Sequence, residues 1–100
     1  MTPGAGGAMR RVRLRLYVAG RSPNSVRATH NLARLCAACL EDDYDLEVVN
    51  VLAEPLRALE DGILLTPTLV RLAPGPRVHV VGDLSDEATV RAALGCGDGG

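Results

Sequence analysis

The chain contains no tryptophan, no phenylalanine and no lysine. Its only aromatic residues are Tyr17 and Tyr44, well separated in sequence. Binding of single-stranded nucleic acid relies on aromatic platforms for base stacking, and two distant tyrosines make a poor one. All 11 basic residues are arginine, which, with the abundance of Gly and Ala, reads as codon composition rather than chemistry. The formal net charge is −1, so no overall charge draws the chain to nucleic acid or to a membrane surface. No apolar run approaches the ~18 residues that a membrane helix requires. Residues 1–8 lack the apolar centre of a signal peptide, which points to a cytoplasmic protein. Three cysteines are an odd number, better suited to reduced thiols than to a disulfide framework.

What the chain does have is enough apolar content for one folded unit. It is 100 residues long and 47% hydrophobic, which separates it from disordered sequences and sets it at single-domain size. The domain is expected over residues 11–95, with a flexible segment at 1–10 and a flexible tail at 96–100. Charge is segregated along it. Residues 1–40 carry seven arginines and no acid, whereas residues 41–65 carry eight acids against Arg57 alone. Two segments of opposite sign either attract each other within the fold or present a polar docking surface to a partner.

Periodicity gives the elements. Val12, Leu14, Leu16 and Val18 alternate with Arg11, Arg13, Arg15 and Tyr17, which predicts a half-buried strand over 11–19. A slip of one residue would bury the arginines, so the register is fixed. Gly20 breaks the strand. Ser22 is placed to cap a helix whose first position is Pro23. Ala28, Leu32, Leu35, Cys36, Cys39 and Leu40 form its apolar stripe, and the acidic run at 41–43 ends it. Leu46–Leu52 reads as a second strand, completing a parallel βαβ unit. Glu54-Pro55 opens a short helix that Gly62 closes. Leu69–Leu72 and Arg77–Val81 are strands joined by the turn Ala73-Pro74-Gly75-Pro76, an antiparallel hairpin. Asp83 or Ser85 caps a last helix that Gly95 stops. The order β-α-β-α-β-β-α is that of a thioredoxin-like α/β fold with a mixed four-stranded sheet.

Catalytic signals are weak. Cys36-Ala37-Ala38-Cys39 has redox spacing. A reactive thiolate, however, needs the positive end of a helix, and this pair falls near the negative end, on the apolar stripe. In a thioredoxin-like fold the redox loop would be Ala19–Ser25, which has no cysteine. The two thiols therefore read as core residues, and a thiol-disulfide oxidoreductase using Cys36 and Cys39 is the alternative. Cys36, Cys39 and Cys96 with His30 or His79 lack zinc-motif spacing, so no metal or other cofactor is expected. His79 alternates with Val78 and Val80 as an exposed strand residue. Thr66-Pro67, entering a strand after a short helix, stands where thioredoxin-like folds hold a cis bond. With Pro74 and Pro76 it concentrates slowly isomerising X-Pro bonds in the C-terminal half.

Four segments resemble one family. Leu14–Arg27 (LRLYVAGRSPNSVR), Val48–Leu52 (VVNVL), Ile63–Leu69 (ILLTPTL) and Val80–Asp86 (VVGDLSD) are similar, in order, to motifs of the KaiB family of circadian clock proteins. The N-terminal sensor domain of clock-associated histidine kinases is a close relative. The resemblance implies a non-enzymatic adaptor that binds a KaiC-type hexameric ATPase and modulates its phosphorylation cycle. It also implies exchange between a self-associating dimer or tetramer with a rearranged C-terminal half and a monomeric thioredoxin-like form. Carried over by position, the partner-binding candidates are Arg15, Arg27 and Tyr44, and the conformational-switch candidates are Pro67, Pro74 and Pro76. A sensory module for a histidine kinase or stress regulator is a further alternative. The sequence departs from the family where Gly75 interrupts consecutive prolines, and where Glu47 and Gly62 replace frequent lysines. Glu87–Leu94 has no internal glycine, which favours helix and hence the thioredoxin-like form.

Overall fold

The computed structural model describes residues 11–41 and 43–96. The flexible segment expected at 1–10 lies outside them, as does all of the expected tail but Cys96. The elements are β1 (Val12–Val18), α1 (Pro23–Cys39), β2 (Tyr44–Asn50), α2 (Pro55–Glu60), β3 (Thr68–Ala73), β4 (Val78–Val81) and α3 (Glu87–Leu94). The predicted thioredoxin-like order is the observed one. The sheet runs β2-β1-β3-β4. β1 pairs parallel with β2, and β3 lies antiparallel to both β1 and β4.

The register explains the segregated charge. Arg13 lies opposite Asp45 and Arg15 opposite Glu47, so the basic strand and the acidic strand are neighbours. Arg11 adds an ion pair to Asp45 at 2.9 Å. Opposite charges facing across a strand pair are favourable where like charges would repel.

The sheet has two covered faces of different kinds. On one, Leu14 and Leu16 of β1 and Leu69 of β3 meet Leu32 and Leu35 of α1 and Val90 and Leu94 of α3. On the other, Tyr17, Val49 and Val70 meet Ala58 of α2. Strand alternation marks Tyr17 as outward-facing, yet it is fully buried. The short helix α2 lies over the C-terminal half of β1, so that half is buried on both faces.

Local expectations shift in three places. β2 begins two residues before the expected Leu46, because Tyr44 and Asp45 already pair with Val12 and Arg13, and residues 51–53 form a turn. Ser22 occupies the N-cap of α1 but makes no side-chain bond to the helix backbone; its hydroxyl bonds Ser25 Oγ instead. Asp86, rather than Asp83 or Ser85, caps α3 by accepting from the Thr89 amide and hydroxyl. Gly95 ends that helix with φ 86°, a left-handed conformation that glycine adopts without a Cβ penalty. The Thr66–Pro67, Ala73–Pro74 and Gly75–Pro76 bonds are cis.

Candidate docking surface

The turn between β1 and α1 is where a thioredoxin-like fold would carry reactive sulfur. Here it is held by hydrogen bonds. The Ala19 amide donates to Ser25 Oγ at 3.1 Å, and the Ser22 hydroxyl donates to the same oxygen at 2.8 Å. Asn50 Oδ1 accepts from the Gly20 and Leu52 amides, both at 3.0 Å, tying this turn to the one after β2. Gly20 has φ 57°. The Ala19 and Gly20 amides of the turn are thus satisfied within the protein.

The three cysteines gather at the opposite end of α1. Cys36 is fully buried in the core, and burial foremost pushes its thiol up to about 11. A thiol in apolar surroundings is a poor nucleophile at neutral pH. Among the described residues no three His, Cys, Asp or Glu side chains converge as a metal site. His30 and His79 are both exposed.

A polar network covers the α2 face of the sheet. Asp61, just past α2, is its centre. One carboxylate oxygen accepts from Tyr17 Oη and from Arg15 at 2.8 Å, and the other accepts from Arg77 at 3.1 Å. Tyr17 Oη also contacts the Arg57 carbonyl at 3.3 Å. The tyrosine hydrogen bond, with Arg15 and Arg77, holds the Asp61 carboxyl down at about 2. Burial, reinforced by the same bond, raises the Tyr17 phenol above its ordinary range. Next to it, Glu47 receives Arg57 at 2.6 and 2.9 Å and Arg15 at 3.0 Å. Arg57 first, then Arg15, lowers the Glu47 carboxyl to about 2. The network fastens α2 to β1, β2 and the start of β4.

Large apolar side chains on α2 and in the segments before and after it stay in solvent. Leu52, Leu56, Leu59 and Leu65 are each more than 60% exposed, and Leu64 is 93% exposed. Leu56 and Leu59 stand on one side of α2, while the helix buries only Ala58. Leu64 and Leu65 border a cavity of about 240 Å³ with Ile63, Thr68, His79 and Val81. Scattered exposed leucines need no explanation, but five within one short segment of sequence make this region a candidate interaction surface.

Of the predicted binding residues, Arg15 belongs to this region. Its side chain is 20% exposed and engaged with Glu47 and Asp61. Tyr44 begins β2 and packs against the core on the opposite face of the sheet. Arg27 lies in the first turns of α1, bonded to Asn24 and paired with Asp83 at 3.4 Å. The structure does not bring the three together. Pro67 is buried at the entrance to β3, and Pro74 and Pro76 are exposed in the β3–β4 turn.

Comparison with known proteins decides the family. The KaiB domain model matches residues 15–96. The chain belongs to the KaiB family. A curated KaiB relative, the circadian clock protein KaiB3 of Synechocystis sp., is 41% identical over 86 residues, covering 86% of this chain and 84% of its own. Among solved structures, the N-terminal domain of Synechococcus elongatus SasA superposes with a TM-score of 0.71 at 28% identity, covering 85% of this chain and 84% of that one. The thioredoxin of Malassezia sympodialis gives 0.70 at 22% identity, covering 86% and 74%, and shares the fold alone. In KaiB terms, this chain carries the circadian-clock family's domain in its thioredoxin-like arrangement.

The leucine surface was missed by sequence reading. Leu52, Leu56, Leu59, Leu64 and Leu65 look like core residues by composition. The one available signal was that α2 is too short, at six residues, to bury two opposed apolar sides.

Proposed function

We propose that this chain is a non-enzymatic, cytoplasmic KaiB-like adaptor that docks on a KaiC-type hexameric ATPase and modulates its phosphorylation cycle. The observation that carries this reading is the exposed leucine surface on and around α2, rimmed by the ion pairs of Arg15, Arg57 and Glu47. An apolar centre with a charged rim is the anatomy of a protein interface. Arg15 is the binding candidate best placed to contribute. Arg27 and Tyr44 are secondary contacts that a large partner would reach on other sides of the domain. Pro67, Pro74 and Pro76 are the candidates for exchange with a self-associating dimer or tetramer.

The test is binding of the purified chain to a KaiC-type hexamer from the same cell, measured by sedimentation. Leu56→Asp/Leu59→Asp is expected to weaken binding by at least ~10-fold, the loss of central apolar contacts, with an unchanged circular dichroism spectrum. Unaltered binding by that variant overturns the docking assignment. Insulin reduction that depends on Cys39 overturns the non-enzymatic reading.

A second reading, a sensory module serving a histidine kinase or stress regulator, draws support from the likeness to the SasA domain. Co-purification of a kinase instead of a hexameric ATPase favours it.

A further inference from the structure

The C-terminal ends of α1 and α3 meet across a cleft of about 320 Å³ whose walls include Cys39, Leu40, Arg71, Leu94 and Gly95. Cys39 is half-buried on that wall. The chain leaves α3 through Gly95 and delivers Cys96 into the same region, where its side chain packs against the core. The Cys96 amide donates to the Arg91 carbonyl at 3.2 Å, and its sulfur lies 3.8 Å from the same oxygen. These contacts fix the position of Cys96.

We propose that Cys39 and Cys96 form a reversible intramolecular disulfide that clamps α3 onto the end of α1 when a small-molecule disulfide is the oxidant. The pairing differs from the C-x-x-C spacing, which joins Cys36 and Cys39 on one helix. Cys36 is sealed in the core and out of reach of an oxidant, whereas Cys39 opens onto the cleft. Cys39 lines the cleft together with Gly95, the residue before Cys96, and contact with Cys39 adds to burial in raising the Cys96 thiol.

The chemistry balances in two exchanges. The Cys39 thiolate attacks one sulfur of the oxidant RSSR, forming Cys39–S–S–R and releasing RS⁻. The Cys96 sulfur, giving up its proton, then displaces the second RS⁻ from Cys39. Both thiol protons end on two molecules of RSH. The protein is oxidised by two electrons and the oxidant is reduced by two.

The bond joins residues that enclose β2, α2, β3, β4 and α3 in one loop. Closing a loop of this length constrains the unfolded chain. It also holds α3, which otherwise rests on α1 by packing alone apart from the Arg34–Glu87 ion pair at 2.8 Å.

Oxidised glutathione, added to the reduced full-length protein at neutral pH, tests the idea by peptide mapping after alkylation. The expected product is a monomer that has lost two hydrogens and links the peptide containing Cys39 to that containing Cys96. Cys36→Ser keeps this link. Cys39→Ser and Cys96→Ser each abolish it and leave the circular dichroism spectrum unchanged. The linked form is expected to unfold at a urea midpoint higher by on the order of 1 M, and dithiothreitol reverses the shift. A link between Cys36 and Cys39, an intermolecular dimer, glutathione left on Cys39 without closure, or a link that survives Cys39→Ser overturns the proposal.

Discussion

The two faces of the sheet do different jobs with different materials. The face under α1 and α3 is almost wholly apolar, with Leu14, Leu16, Leu32 and Leu69 at 2% exposure or less. The face under α2 buries Tyr17, Val49, Val70 and Ala58 and then closes with charge, through Asp61, Arg15, Arg77, Glu47 and Arg57. The first kind of packing is non-directional and scales with buried area. The second is directional, and each member has a fixed partner. A face closed by ion pairs can leave its leucines in solvent, because α2 is held by Asp61 and Glu47 instead of by burying Leu56 and Leu59. The difference separates the contacts that fold the chain from the leucines it leaves exposed.

The sharpest way to break that comparison is to cut into both faces alike. Leu16→Ala, on the apolar face, is expected to cost about 3–4 kcal/mol by urea unfolding. Leu64→Ala, 93% exposed, is expected to stay within about 0.5 kcal/mol. Equal costs would mean that the leucines around α2 are structural after all.

Asp61→Asn comes next, at about 2–3 kcal/mol at pH 7, since it strips a partly buried carboxylate from Tyr17, Arg15 and Arg77. The wild type carries a pH signature as well. Asp61 sits at about 2 in the folded protein, below its ordinary value near ~3.9. Its contribution is therefore complete above about pH 4 and is lost as pH falls toward 2. Unfolding midpoints measured between those limits should fall more steeply for the wild type than for Asp61→Asn.

Tyr17→Phe keeps the ring and removes only the hydroxyl. It is expected to cost about 1–1.5 kcal/mol. It should also raise the Asp61 titration, readable by carboxyl NMR. The smallest effect belongs to Arg34→Gln. Its pair with Glu87 spans two exposed side chains, so the loss should fall within the error of a urea titration and vanish in high salt.

The apolar face was legible in the sequence because its alternation and helical stripe have only one burial solution. Val12, Leu14, Leu16 and Val18 share one side of β1, and Ala28, Leu32, Leu35 and Cys36 share one side of α1. The α2 face was not legible, because long-range pairing made it. Nothing local to Tyr17 says that Asp61 will meet it, and nothing local to Arg15 says that Glu47 will be its register partner. The start of β2 was missed for the same reason: Tyr44 and Asp45 become strand by pairing with β1. The helix cap moved from Asp83 or Ser85 to Asp86 because Asp83 is occupied, accepting from the Ser85 amide and the Arg27 guanidinium. Leu56 and Leu59 look like core until the length of α2 is weighed.

The sheet order places the earliest strand in the middle. As the chain leaves the ribosome, β1 can take β2 along one edge while its other edge waits, open, for residues still to be synthesised. The later hairpin joins a half that already has its own helix and its own charge pairs. The second half closes what the first leaves open, since Leu69, Val90 and Leu94 share one core with Leu14, Leu16, Leu32 and Leu35.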